Sequence, residues 1–350
     1  MSAKSRLHIA MVTPPRFENP PRSYGGVKVM MDDLARSLLR LGHQVTLIGA
    51  GRPGTSAHFL AAYTEPPSHP LDEPAPGTAV PGVRLEDLDV DVVHDHSPTG
   101  PLTALTPRIP TVTTVHGPAS GEQAERCRRL GDSVGLVSTS TFQRMQAPDL
   151  NWVGTVHNGV DLKSFPFRER KEDYTLFLGR FSPDKGAHLA IDAARKAGRR
   201  ILLAGGLNEP SEQDYFDTHI RPRLGDDAVY VGEADGPRKR ELLANAHCLL
   251  FPSRREESFG MVMTEAMASG TPVVALRGGA VGEVLVDGIT GYVCDDPADL
   301  AEAVAAAGGL NPADCRMHVR RNFDALGMAM AYEKIYELAI RDRCPAPFAA

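Results

Sequence analysis

The chain repeats one pattern along most of its length: a short, continuous apolar run, then a stretch whose apolar residues recur at helical spacing. From residue 174 the runs are YTLFLGR, RRILLAGG, AVYVGEA, HCLLFPS, TPVVAL and GYVCDD, each followed by a helix-like segment. Strands that are apolar on both faces must be covered on both faces, so the pattern predicts a parallel sheet with helices on either side. An earlier series has the same form: LHIAMVTP, a helix over GGVKVMMDDLARSLLRLG, HQVTLIGA, and then VDVVHDH, PTVTTVHG and SVGLVSTS. Residues 51–83 interrupt this first series with a Pro/Gly-rich stretch that reads as a surface excursion. The segment VHNGVDLKSFPFRERKED loses the periodicity and reads as a linker. The chain is therefore expected to be α/β, with two doubly wound, Rossmann-like domains over residues 1–165 and 166–325. A length of 350 residues with 42% hydrophobic content is enough for two such cores.

The formal net charge of −6 gives no global reason to bind nucleic acid, although Arg238, Lys239 and Arg240 make a short basic run. ERCRRL and RKRELL offer basic helical faces for peripheral membrane contact, and solvated surface charge explains them equally well. The five cysteines are odd in number, widely spaced and without a C-x-x-C pair, which fits unpaired thiols in a reducing compartment. The N-terminal apolar run meets Pro14 too early for a signal peptide, and no segment approaches a membrane span. A soluble cytoplasmic protein is expected.

Ligands of doubly wound sheets bind beyond the carboxyl ends of the strands. There the sequence RREESFGMVMTEAMASGTPVVA places Glu257 in a turn and Glu265 in the helix that follows, with Gly260 near the helix start. If 257–265 were wholly helical the two carboxylates would be separated by about 12 Å along the axis, comparable with the reach from a sugar to a ribose across a diphosphate. The unpaired N–H groups of a helix start suit a phosphate between them. A solvated Glu257 and a helix-face Glu265 satisfy the same spacing. FLGRFSPDKG sets Arg180 and Lys185 after another strand, where two cations could clamp phosphates. SYGGVKV brings Gly25 and Gly26, and RGGAVGEV brings Gly278, Gly279 and Glu283, into equivalent loops.

The combination of E-x(7)-E in ESFGMVMTE with EAMASGTPVVA, GGAVGEVLVDGITGYV, LGRFSPDKG, VHNGVD and YGGV resembles the retaining glycosyltransferases of family 4, from about residue 7 to 340. The block 251–292 is the specific part. The resemblance implies the GT-B fold, with the two domains facing across a cleft and a C-terminal helix, 326–343, crossing back onto the first. It implies a nucleoside diphosphate sugar as donor substrate, UDP-linked before GDP-linked, no required cofactor or metal, and an acceptor on the first domain. It assigns Gly25 and Gly26 to the donor diphosphate, Arg180 and Lys185 to phosphate, and Glu257 to the donor sugar. Glu265 falls to the ribose, and Ser258, Phe259 and Gly260 to the donor loop between the glutamates. His116 in TVHG matches a histidine lining the reacting centre. Retention in this family is ascribed to a same-face internal return without an enzyme nucleophile. Lys28 stands where relatives often carry Glu.

GAGRPG, residues 49–54, fits a dinucleotide fingerprint, but it follows the second strand, contains Pro53 and leads into the Pro-rich stretch. His94 and His96 share one face of their strand and with His116 suggest a metal site, against which a polar lining is the simpler reading. His157 reads as structural, with Asn158 and Asp161 shaping the domain junction. A nucleotide-sugar epimerase and a noncatalytic nucleotide-sugar-binding protein are the rival functions.

Overall fold

A computed structural model of the chain describes residues 6–14, 18–19, 26–52, 56–63, 85–97, 109–254 and 256–343. The chain divides into two compact units, one of Met1–Gly159 with Ala325–Ala350 and one of Val160–Asp324.

In the first unit, β1 (His8–Val12), β2 (Glu18–Asn19), β3 (Gln44–Gly51), β4 (His58–Tyr63), β5 (Val92–Asp95), β6 (Thr111–Val115), β7 (Gly135–Ser138) and β8 (Trp152–Thr155) form one sheet. The order is β2-β3-β1-β5-β6-β7-β8, with β4 also beside β3, and the pairings are parallel. Ile9 to Val12 and Val92 to Asp95 are buried, as a strand covered on both faces requires. Helix α1 (Gly26–Arg40) turns Met30, Met31, Leu34, Ala35 and Leu38 inward along one stripe. The shorter α2 (Gly121–Leu130) and α3 (Thr141–Gln146) follow β6 and β7, and the Ser140 hydroxyl caps α3 by accepting from Gln143 N at 3.0 Å.

The Pro/Gly-rich stretch is more than a surface excursion, because residues 58–63 form β4 against β3. Leu60 and Ala62 of β4 pack with Ala10, Val12, Ile48 and Val93. A six-residue run with weak alternation acquires its strand character from that partner rather than from its own composition. Residues 64–84 lie outside the described residues.

In the second unit, β9 (Tyr174–Leu178), β10 (Arg200–Ala204), β11 (Ala228–Tyr230), β12 (Cys248–Phe251), β13 (Val273–Leu276) and β14 (Gly291–Cys294) pair in parallel in the order β11-β10-β9-β12-β13-β14. They alternate with α4 (Ala187–Lys196), α5 (Pro210–Tyr215), α6 (Gly236–Asn245), α7 (Met261–Ala268), α8 (Val281–Val284), α9 (Leu300–Ala306) and α10 (Pro312–Asn322). Ile201, Leu203, Leu250 and Val274 pack with Ala190, Ile191, Ala194, Leu300 and Val304. The strand order reverses at β9, which has β10 on one side and β12 on the other. In sheets of this kind the carboxyl ends of the strands at such a reversal point are where ligands bind.

The last helix, α11 (Ala325–Arg343), belongs to the first unit, where its Tyr332 and Tyr336 are fully buried. No described helix is long and apolar enough to cross a membrane.

Candidate active site

The loops leaving β9 and β12 are stitched together at the reversal point of the second sheet. After β9, Phe181 is fully buried and meets Phe216 and Tyr230 edge-on, anchoring the strand end. A single turn, Pro183–Lys185, follows and closes on Gly186 at φ +70°. A Cβ on Gly186 would stand 2.5 Å from the Pro252 carbonyl oxygen, so only glycine lets the turn press onto the loop after β12. Arg254 N donates to Asp184 O at 2.7 Å, and Ser253 Oγ lies 3.4 Å from the same oxygen. This brings Lys185 Nζ onto Glu257 Oε1 in a close ion pair, and Ser253 Oγ donates to the same carboxylate oxygen at 3.2 Å. The side chains remain 20% and 15% exposed, so the pair stays within reach of a ligand.

A third loop, after β13, holds the backbone of Glu257. Ala280 N donates to Glu257 O at 2.9 Å. A Cβ on Gly279, whose φ is +52°, would lie 2.4 Å from both Glu257 N and Glu257 O. Glu257 is thus fixed at its main chain by Gly279 and Ala280 and at its carboxylate by Lys185 and Ser253.

Arg180 is held more loosely. Its Nη1 lies 3.5 Å from Glu212 Oε1 and its side chain is 58% exposed. Glu212 Oε2 meanwhile accepts Asn208 N at 3.0 Å and Glu209 N at 3.4 Å, which anchors the acid. Ser258 and Phe259 are buried, Phe259 edge-on to Phe323 at 5.6 Å. Gly260 sits at φ +83° immediately before α7. The step from Glu257 to Glu265 is therefore half loop and half helix, and the wholly helical spacing does not hold.

Every residue of α7 is buried, and Glu265 is fully so. Its Oε1 accepts Lys239 Nζ at 2.7 Å, while Oε2 has no hydrogen-bond partner. Lys239 projects inward from α6 with 4% of its side chain exposed. The basic run 238–240 is therefore not one surface patch. The arginines of α2 are likewise engaged: Arg126 with Glu122 at 2.6 Å, and Arg128 with Glu125 at 2.5 Å and Asp149 at 2.7 Å.

In the first unit Gly25 lies outside the described residues, and Gly26 opens α1. His94 and His96 leave β5 with ring centroids 3.9 Å apart. His94 is tied at both nitrogens, to Tyr336 OH at 2.7 Å and to Thr114 Oγ1 at 2.8 Å, and Thr114 Oγ1 in turn meets Tyr332 OH at 2.8 Å. His96 Nδ1 and His116 Nε2 share a hydrogen bond of 2.9 Å with the rings stacked, while His96 Nε2 and His116 Nδ1 have no partner. Burial pushes the His94 imidazole down to about 3, with His116 contributing, and the His116 imidazole down to about 4; His96 is lowered well below its usual value, again chiefly by burial. The rings are thus neutral at ordinary pH and act through hydrogen bonds, not charge. Among the described residues no group of three or more His, Cys, Asp or Glu is arranged to hold a metal ion.

Gln143 fixes the TVHG loop. Its fully buried amide nitrogen donates to Val115 O at 2.7 Å and Gly117 O at 2.5 Å, either side of His116, while Oε1 accepts Thr139 N at 2.7 Å. Asp161 caps its own turn by accepting Lys163 N at 3.1 Å. Residues 49–51 of GAGRPG lie inside β3, not in a strand-to-helix turn, which removes the dinucleotide reading. Ser253 and Gln143 were not marked by the sequence, and Lys239 was marked only as part of the basic run 238–240. Ser253 alone carried a usable signal, since it lies two residues past the end of an apolar strand.

The chain matches two families described as "Glycosyl transferases group 1", over residues 161–311, and "Glycosyltransferase Family 4", over residues 24–164. It is 30% identical over 343 residues to a phosphatidyl-myo-inositol mannosyltransferase of Mycobacterium tuberculosis, covering 87% of this chain and 86% of that protein. Among solved structures it superposes with TM-score 0.77 on AviGT4, a glycosyltransferase involved in avilamycin A biosynthesis, at 28% identity over 96% of this chain and 98% of that one. It superposes with TM-score 0.72 on Anabaena HepE in complex with UDP-glucose, at 18% identity over 95% and 100% of the two chains.

Proposed function

As a member of glycosyltransferase family 4 this chain is a glycosyltransferase, and we propose that it moves a sugar from a nucleoside diphosphate sugar to an acceptor hydroxyl with retention of anomeric configuration. The observation that carries the reading is the Lys185–Glu257 pair at the reversal point of the second sheet, clamped by Ser253 and Gly279. An ammonium has three donors, so Lys185 can keep Glu257 and still reach a phosphate oxygen. In this proposal Glu257 receives sugar hydroxyls, Lys185 and Arg180 take the diphosphate, and the buried, unpartnered Oε2 of Glu265 accepts a ribose hydroxyl. Ser258, Phe259 and Gly260 form the donor loop, with Gly25 and Gly26 at the diphosphate. In this proposal the donor domain, expected over residues 166–325, is the second unit, Val160–Asp324, and the acceptor-side domain, expected over 1–165 with the helix 326–343, is the first unit with α11.

The bond from the anomeric carbon to the β-phosphate oxygen breaks first, and the two cations hold the charge that builds on the departing diphosphate. The acceptor oxygen then bonds to the same face of the sugar, and its proton passes to the leaving phosphate oxygen. No enzyme nucleophile is consumed and no metal is required, because the charge is met by side chains. His116, a neutral imidazole with a free Nδ1, is proposed to hydrogen-bond at the reacting centre. A uridine diphosphate sugar is the first donor to test, as HepE is solved with UDP-glucose, and a GDP-sugar the second. The described cysteines, all unpaired and buried, fit a cytoplasmic setting.

Incubating the chain with the donor and its acceptor and following the anomeric proton by NMR tests the mechanism. A product with the donor's anomeric configuration, formed at the same rate in chelator, is expected. An inverted product, or activity abolished by chelator, contradicts it. Donor converted without acceptor would instead make the chain an epimerase, and binding without turnover a sensor.

A further inference from the structure

We propose that Lys239 is a positioning residue for the ribose of the donor, acting through Glu265; this rests on the reading of Glu265 as the ribose acceptor. Helices α6 and α7 spring from the loops that follow β11 and β12, on the carboxyl edge of the second sheet. Lys239, the fourth residue of α6, and Glu265, the fifth of α7, meet with Nζ to Oε1 at 2.7 Å and with 4% and 0% of their side chains exposed.

Two observations point beyond a structural role. The rest of α7 reads Met-Val-Met-Thr before Glu265 and Ala-Met-Ala after it, all buried, so an apolar residue at 265 would suit the packing. A buried ion pair is on average no more stabilising than well-packed apolar residues of the same volume, so its presence calls for a reason other than stability. The second observation is that only one carboxylate oxygen is engaged by the ammonium, and Oε2 remains buried without a hydrogen-bond partner. A charge-assisted bond at Oε1 fixes the carboxylate torsion and thereby the direction of the Oε2 lone pairs. An acceptor held ready in this way suits a neutral donor such as a ribose hydroxyl. Lys239 would then set ribose recognition without touching the ligand, and a nucleotide lacking its ribose hydroxyls would not benefit from it.

The test uses the full chain with UDP, or the nucleoside diphosphate that binds best, and its 2′,3′-dideoxy analogue, titrated calorimetrically. The wild-type chain is expected to bind the ribonucleotide about tenfold or more tightly than the dideoxy form, the scale of one hydrogen bond to a charged group. In Lys239→Met that preference falls to about onefold to threefold, while affinity for the dideoxy form stays within about threefold of wild type. In Lys239→Gln, whose amide can still donate one hydrogen bond, the preference is intermediate. A general loosening of the fold would weaken both ligands together, which neither variant is expected to do. A wild-type chain with no ribose preference overturns the reading of Glu265. A wild-type preference that survives intact in either folded variant overturns the role of Lys239 alone. Failure of both variants to fold assigns the pair to the fold and equally overturns it.

Discussion

Replacing Lys185 with alanine is expected to lower kcat/KM for transfer by about a thousandfold. Removing one preorganised charge from a developing anion costs about 10²–10³ in rate, and here the same change strips Glu257 of its ion-pair partner. The carboxylate proposed to read the donor sugar would then be held by Ser253 and its main chain only. Lys185→Arg keeps the charge but exchanges a compact ammonium for a planar fork, and a loss of about tenfold is expected. Because both partners are partly open to water, Lys185→Ala should shift the melting temperature by only about 2–4 °C. Steady-state kinetics with a saturating acceptor measure the effect. A kcat/KM within threefold of wild type would remove Lys185 from the site.

Gly279→Val should lower kcat/KM by about a hundredfold without altering any group proposed to touch the ligand. A Cβ at this position would sit 2.4 Å from two backbone atoms of Glu257, and backbone cannot move aside as a flexible side chain can. The φ of +52° is strained for a β-branched residue as well. Displacing Glu257 by about 1 Å is enough to cost on the order of 10²-fold in rate. Gly282 provides the control, since it lies in α8, three residues away, with open space around its Cβ position. Gly282→Ala should leave kcat/KM within twofold and stability unchanged or slightly raised. Equal behaviour of the two variants would show that the close approach at Gly279 is not what fixes Glu257.

Much of the architecture could be read from periodicity, because strands such as CLLF and VVAL are apolar throughout and only a sheet covered on both faces accommodates them. The rule that ligands bind past the strand ends led directly to the loops carrying Arg180, Lys185 and Glu257. β4 was hidden because its strand character comes from lying beside β3. Lys239 was hidden for a different reason: within Arg238-Lys239-Arg240 nothing local distinguishes the one side chain that turns inward, and its partner is 26 residues away. Long-range pairing also kept the histidine network out of view, since Tyr336 reaches His94 from 242 positions along the chain. Sequence spacing reports which face of an element a residue occupies; it does not report what another element places opposite.

The central claim is that the second unit binds a nucleoside diphosphate sugar through the Lys185–Glu257 pair. A thermal-shift panel of UDP-, GDP-, ADP- and dTDP-sugars, run on the wild-type chain and on Lys185→Ala with magnesium or with chelator, tests it most directly. Ligand at about 100 times its Kd adds about 2.7 kcal/mol to the native state, which should appear as a rise of several degrees. The account predicts that one nucleotide family raises the wild-type melting temperature equally in magnesium and in chelator, and that Lys185→Ala loses most of the rise. No stabilisation by any member at saturating concentration, or an undiminished rise in Lys185→Ala, would contradict it.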